Sequence, residues 1–208
     1  MDLQTTYKEM LAGAENAGAG EIIDYLSDEL PYLWTTEYME TCNRITDISR
    51  IAIGSFEYLF DDSVTLEAKG LIDVAEKIEA RVVAAFGTSV RLNKPRDDYR
   101  LRGWIGPSNT AFGKEWDKGH YIAHCIGGAV DQAELNVFRQ RRDLNRGWSE
   151  EGRVFRRMEE RCFANPGTFC FHRPVYGDQT HMPVMLEYGV LMQDRTLWVE
   201  RFSNILSV

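Results

Sequence analysis

Asp117-Lys118-Gly119-His120-Tyr121-Ile122-Ala123-His124, then Gly127-Gly128, Asn136-Val137-Phe138-Arg139-Gln140 and Asp143-Leu144-Asn145-Arg146-Gly147-Trp148 follow one another in this 208-residue chain, and Arg156-Arg157-Met158-Glu159 closes the run. The opening reads as strand and turn. Residues 149–164 space Phe155, Met158, Cys162 and Phe163 along one side of a helix, with Glu150 and Glu151 in the first turn, where the helix dipole favours acids. Pro166-Gly167 stops that helix, and Thr168–Phe171, Met185–Met192 and Leu197–Phe202 read as strands, with Asp194-Arg195 at a turn.

The same run carries reactive groups. His120 follows a glycine at a strand end, and an unperturbed imidazole with a pKa near ~6.5 accepts a proton at physiological pH. Between Arg139 and Arg157 stand seven arginines (139, 141, 142, 146, 153, 156 and 157) against Asp143, Glu150 and Glu151. The guanidinium fork matches phosphate oxygens. Asn136, Gln140 and Asn145 add neutral oxygens of the kind a hydrated Mg²⁺ accepts. A proton acceptor, an arginine cluster and amide oxygens are the parts of metal-assisted phosphodiester hydrolysis.

The rest of the chain differs in charge. Residues 1–90 hold 6 basic and 17 acidic side chains, and residues 91–208 hold 18 and 15, within a net charge of −8. That split implies two regions with different partners and removes the overall acidity as an argument against nucleic acid. A composition 44% hydrophobic and 27% charged excludes a disordered tail, a collagen-like fibre and a disulfide-stapled miniprotein. Periodicity predicts helices over 3–14, over 22–30 ending before Pro31, over 36–60 with a break near Gly54, and over 63–86 with Gly87 as its cap. Tyr99, Leu101, Trp104 and Ile105 read as strand. The four cysteines show no CxxC pair, the N-terminus has no apolar leader and no run is long enough to span a bilayer, so the expectation is a cytoplasmic protein with reduced thiols and no membrane partner.

Asp117-Lys118-Gly119-His120 resembles the Asp-Arg-Gly-His signature of the DNA/RNA non-specific endonucleases, which belong to the ββα-metal (His-Me finger) group. Asn136, Gln140 four residues on, Leu144-Asn145-Arg146-Gly147 and Trp148 stand in that family's order, and Met158-Glu159 is similar to a pair on the following helix of some bacterial members. Arg173-Pro174-Val175-Tyr176, Pro183, Glu187-Tyr188 and Phe202-Ser203-Asn204 resemble the strands that end those domains. The resemblance covers roughly residues 90–208 and implies an α+β fold. In it, an acidic helical region, 1–90, precedes a ββα-metal nuclease domain with an antiparallel sheet, 91–208.

What the resemblance implies is Mg²⁺-dependent (or Mn²⁺-dependent) cleavage of DNA, RNA or both. His120 would be the general base and Asn145 the direct Mg²⁺ ligand. Glu159 would hold a metal-bound water, and Asn136 and Gln140 would brace the site. Arg102, Arg142, Arg146 and Arg157 are the candidates for phosphate contact, with Lys118 on the substrate side and Arg146 favoured for catalysis. Lys118 stands where the signature has Arg, Arg139 where many relatives have Pro, and Trp148 falls one residue closer to Asn145 than in better-known members. The rival reading is a nuclease-like scaffold without activity that interacts or inhibits.

Plainer roles compete residue by residue. His124 with Cys162, Cys170 and His172 fits no standard zinc spacing. Trp148 and Met158 read as core, Gly127-Gly128 as a turn, and Arg156 with Glu160 as an i, i+4 pair. A free nuclease endangers its own cell, which admits an inhibitor or immunity protein as partner, a homo-oligomer, and a role as delivered toxin or defence enzyme. It also suggests that the acidic front half masks the basic back half.

Overall fold

The computed structural model describes residues 3–14, 18–71, 78–93, 113–129 and 133–206. The strand expectation at Tyr99, Leu101, Trp104 and Ile105, and the candidate Arg102, lie outside them. Helices α1 (Leu3–Gly13) and α2 (Ala19–Thr41) lead into a hairpin of β1 (Ile48–Ile53) and β2 (Phe56–Asp61), a short α3 (Ser63–Ala68) and β3 (Arg81–Thr88). Then come β4 (Trp116–His120), α4 (Ala133–Asn136), β5 (Val137–Arg141), α5 (Arg142–Asn145), α6 (Glu150–Ala164), β6 (Phe169–Tyr176), β7 (Pro183–Leu191) and β8 (Leu197–Ser203). Six strands form one antiparallel sheet in the order β1-β2-β3-β6-β7-β8, and β4 and β5 form a separate antiparallel pair. The fold is α+β. Among the described residues, no helix is long and apolar enough to cross a membrane.

Alternation along the strands sends successive side chains to opposite faces of the large sheet. On one face Leu59, Val83, Phe86, Phe169, Phe171 and Val199 pack against Tyr7, Leu26, Leu30 and Trp34 of α1 and α2. On the other, Tyr58, Ala85, Cys170, Leu186, Tyr188 and Phe202 pack against Phe138, Leu144, Phe155 and Met158 of the β4–β5–α5–α6 unit. The acidic helices therefore cover the face opposite the arginine-bearing unit, which corrects the masking idea. The sheet also runs across residue 90, since β3 pairs with β6 through Ala85–Thr88 and Phe169–His172.

The front of the chain is less helical than its periodicity predicts. Helix α2 runs straight through Pro31. Proline leaves the carbonyl four residues back without its N–H, and here Nη2 of Arg50 donates to the Ser27 carbonyl at 3.2 Å. Instead of one helix over 36–60, the chain turns at Gly54 (φ +63°) into the β1–β2 hairpin. Instead of a helix over 63–86, the run Val82-Val83-Ala84-Ala85-Phe86 is a central strand, buried throughout because both faces of the sheet are covered. Gly87 is no helix cap: it lies against the hairpin, where a Cβ would come within 2.8 Å of the Phe56 Cα. Helix α6 and strands β6 to β8 form as the sequence predicts, with the Ser149 hydroxyl accepting from the Gly152 N–H at 3.0 Å to cap α6.

Candidate active site

Strands β4 and β5 pair with Asp117 opposite Gln140, Lys118 opposite Arg139, Gly119 opposite Phe138 and His120 opposite Val137. Directly opposed residues share a face. Lys118, His120 and Arg139 therefore lie on the half-buried face of the pair, and Asp117, Gly119, Phe138 and Gln140 on the buried one. Burial pulls the Lys118 ammonium and the Arg139 guanidinium below their ordinary pKa values. The Arg139 guanidinium also sits over the Trp116 ring, 4.1 Å from its centre.

Asp117 is the hub of the buried face. Its carboxylate accepts from Arg142 Nε at 3.0 Å, from Arg146 Nε at 2.6 Å and Nη2 at 3.0 Å, and from Asn145 Nδ2 at 3.3 Å. Burial pushes this carboxyl upward, but the hydrogen bonds from Arg146, Asn145 and Arg142 outweigh it and hold the group below the usual carboxylate range. One acid thus fixes three side chains of α5 and its C-terminal cap against β4. Asn145 Oδ1 accepts no hydrogen bond among the described residues, so the amide turns its oxygen away from Asp117.

Gln140 and Asn136 have other tasks. Gln140 is fully buried and crosses over Gly119, where a Cβ would meet its Oε1 and stand 2.5 Å from its own Cβ. Both amide atoms of Gln140 are sealed from solvent and lack a hydrogen-bond partner among the described residues. Asn136 is also fully buried and fully used: its Oδ1 accepts from Ile122 N at 2.8 Å, and its Nδ2 donates to Ile122 O at 2.9 Å and Ala129 O at 2.8 Å. It ties the segment leaving His120 to the start of β5.

Other residues depart from expectation. Glu159 is buried on α6 and bonded by Arg156 Nη1 at 2.6 Å; burial raises its pKa, and Arg156 opposes the rise. Arg156 therefore pairs with Glu159, not Glu160. Trp148 is 62% exposed rather than core, because it follows Gly147 (φ +70°) in the loop before α6 with the Arg146 guanidinium 5.0 Å from its ring centre. Met158 is fully buried, as expected. Arg141 is spent on Asp143 and Glu151, both at 2.6 Å. Arg153 and Arg157 are exposed on α6, and no ion pair engages them among the described residues. No cluster of three or more His, Cys, Asp or Glu suited to a metal ion occurs among the described residues, so His124, Cys162, Cys170 and His172 form none.

Asp117 carries more of the geometry than its place as the first letter of a four-residue motif suggests. A lone acid two dozen residues before a run of arginines was the available signal.

No family model matches the chain, and no curated protein matches it. Among solved structures it is similar to one described as the Sda1 nuclease with a bound zinc ion, at 15% identity and a TM-score of 0.38, over 76% of this chain and 74% of that one.

Proposed function

We propose that the β4–β5–α5–α6 unit is a metal-dependent, non-specific endonuclease site that hydrolyses phosphodiester bonds of DNA, RNA or both. The observation that carries the reading is the Asp117 cluster. Arg142, Asn145 and Arg146, from one helical turn and its cap, converge on the carboxylate of Asp117 some twenty-five positions earlier, with His120 three positions along the same strand on the other face of the β4–β5 pair. The ordered motif and this convergence point to the same unit.

The donor set fits Mg²⁺. Asn145 offers a neutral carboxamide oxygen, held in orientation by its Nδ2 bond to Asp117. A cation that keeps most of its waters needs few protein ligands, so a single amide oxygen beside an anionic phosphate is adequate, and Mn²⁺ suits the same donors. Bound there, the ion would supply Lewis-acid stabilisation of charge on the leaving oxygen.

His120 takes the proton from the attacking water. Arg146, nearly half exposed while held by Asp117, stabilises the developing phosphorane charge. Arg142 is fixed by both Asp117 and the Trp116 carbonyl, which leaves its Nη1 for a phosphate oxygen. Exposed Arg157 and partly buried Lys118 extend the positive surface along the nucleic acid. Contacts of this kind bind phosphate and sugar without reading bases, hence little sequence preference and a steep fall of binding with salt. Glu159, buried on α6 and bonded by Arg156, would hold a metal-bound water. Asn136 and Gln140 brace the strands.

Plasmid and single-stranded RNA are to be incubated with the full chain in Mg²⁺, in Mn²⁺ and in EDTA. Cutting in either metal, abolished by EDTA and by His120→Ala, is the expected result. Cutting that survives His120→Ala removes the reading. An inert wild type whose metal titration matches that of Asn145→Ala would instead establish the inactive, interacting scaffold.

A further inference from the structure

On the opposite face of the sheet, a cavity of about 640 Å³ opens between the C-terminal half of α2 and the ends of β3, β6, β7 and β8. Arg81, Arg173 and Arg201 line it. Arg173 and Arg201 flank Glu187 across the strands, and their Nε atoms donate to its two oxygens at 3.2 and 2.8 Å. Tyr7 also donates to this buried carboxylate. Arg173 makes a second bond, from Nη1 to Glu37 at 2.8 Å. Arg81 is 2% exposed, lies 4.2 Å from the Tyr176 ring centre, and donates from Nε to Tyr38 and from Nη1 to the Asp178 and Thr180 carbonyls.

These bonds fix three guanidinium groups without exhausting them. Nη2 of Arg81, Nη2 of Arg173 and both terminal nitrogens of Arg201 carry no hydrogen bond among the described residues; the first two are not sealed from solvent, and Arg201 is exposed. Three cations stand against Glu37, Glu187 and Asp178, so the wall is close to neutral, but its free groups are guanidinium donors: Glu187 is held by Arg173, Arg201 and Tyr7, and Asp178 Oδ1 accepts from Thr180. The nearby Arg44–Asp61 pair, at 2.5 Å, is self-neutralising.

Cationic forks held rigid by buried acids are pre-organised for an oxyanion. Three forks suit a phosphate, with its three terminal oxygens, better than a planar carboxylate. The volume lies in the range of small-molecule pockets and exceeds what a bare phosphate fills. Val83, Pro174 and Met185 offer apolar wall to an organic body, and Gln179 Oε1, buried without a donor, would accept from a hydroxyl or amine.

We propose that this cavity binds a small phosphorylated organic molecule, such as a sugar phosphate or nucleoside monophosphate, on the face away from the β4–β5 unit. The inference does not rest on the nuclease reading.

The test is calorimetric titration and thermal melting of the full chain with ribose 5-phosphate, a nucleoside monophosphate, inorganic phosphate and, as neutral controls, ribose and the nucleoside. The expected result is one saturable site for at least one organic phosphate, a raised Tm, weaker binding of inorganic phosphate and none of the neutral compounds. Arg201→Ala should weaken binding tenfold or more, whereas Arg146→Ala, on the other face, should leave it unchanged. Met185→Trp fills the cavity without touching the ion pairs; it should abolish binding while the protein stays folded, and so serves if Arg201→Ala does not fold. Absence of binding by every phosphate, binding undiminished in Met185→Trp, or binding lost in Arg146→Ala overturns the proposal.

Discussion

At the scale of single residues, two positions show how tightly the packing constrains chemistry. Gly119 sits under the Gln140 side chain, with no room for a methyl group. Gly119→Ala must displace a fully buried amide or shift β4, and overpacking of this kind costs about 1–3 kcal/mol. Urea unfolding should show that loss, and an unchanged midpoint would mean that Gln140 can leave its place freely. His172 is the second case. It is buried between Phe155 and Tyr188, and burial pulls its pKa down to about 3. The folded state therefore binds fewer protons than the unfolded one between pH 3 and the unfolded value near ~6.5, so stability falls as pH is lowered through that window. At pH 4.5 the loss from this group is about 3 kcal/mol, from ~1.4 kcal/mol per pH unit. His172→Leu should flatten that part of the stability profile relative to wild type, as measured by urea unfolding at pH 4.5 and 7. Parallel profiles would place the acid sensitivity elsewhere.

At the scale of elements, the bond between β4 and α5 matters most. Helix α5 is a single turn and cannot hold its own place, since so short a helix is marginal without tertiary support. Asp117 supplies that support through Arg142, Asn145 and Arg146. Asp117→Asn keeps the shape but removes the charge. Under the proposed function it should lower cleavage tenfold or more and raise the Mg²⁺ concentration for half-maximal rate, because Asn145 loses its orientation. Circular dichroism should remain that of the wild type. A variant with full rate and unaltered metal dependence would show that Asn145 is positioned by something other than Asp117.

This element also marks how far the sequence could be read. Helix α6 and strands β6 to β8 are legible because their apolar spacing and their stop signals agree. The motif residues fall within the β4–β5–α5–α6 unit. Which arginine pairs with which acid was not legible: Arg141, Arg142, Arg146 and Arg156 differ only by where their chains reach, and that is set by strand register and helix phase.

At the scale of the whole molecule, the six-stranded sheet joins the two halves. Strand β3 contributes Val82–Phe86 to the centre, and the far face of β6 buries Phe169 and Phe171 against α2. A fragment of residues 91–208 would expose that aromatic face and leave β6 as an unpaired edge, a combination that favours aggregation. Expressed alone, it should be insoluble or lack a cooperative melting transition, whereas the full chain melts cooperatively. A soluble, cooperatively folding fragment would establish residues 91–208 as an independent domain. Because α1 and α2 cover the other face of the sheet, removing them should not unmask an active core; it should unfold one.

The sequence by itself determined the α+β class, helix α6 and the strands that follow it, because those signals are local: helical periodicity, apolar strand runs and stop signals lie within a few residues of one another. Only the tertiary structure decided that Val82–Phe86 is a strand rather than a helical stripe, that α2 continues through Pro31, that Trp148 is exposed, and that Asp117 gathers Arg142, Asn145 and Arg146. Each of those outcomes depends on what lies across the sheet or on a neighbouring element. Burial on both faces erases the alternation that marks a strand, an arginine from β1 relieves the carbonyl that proline abandons, and a carboxylate's partners are chosen by distance in space, which a linear pattern does not contain.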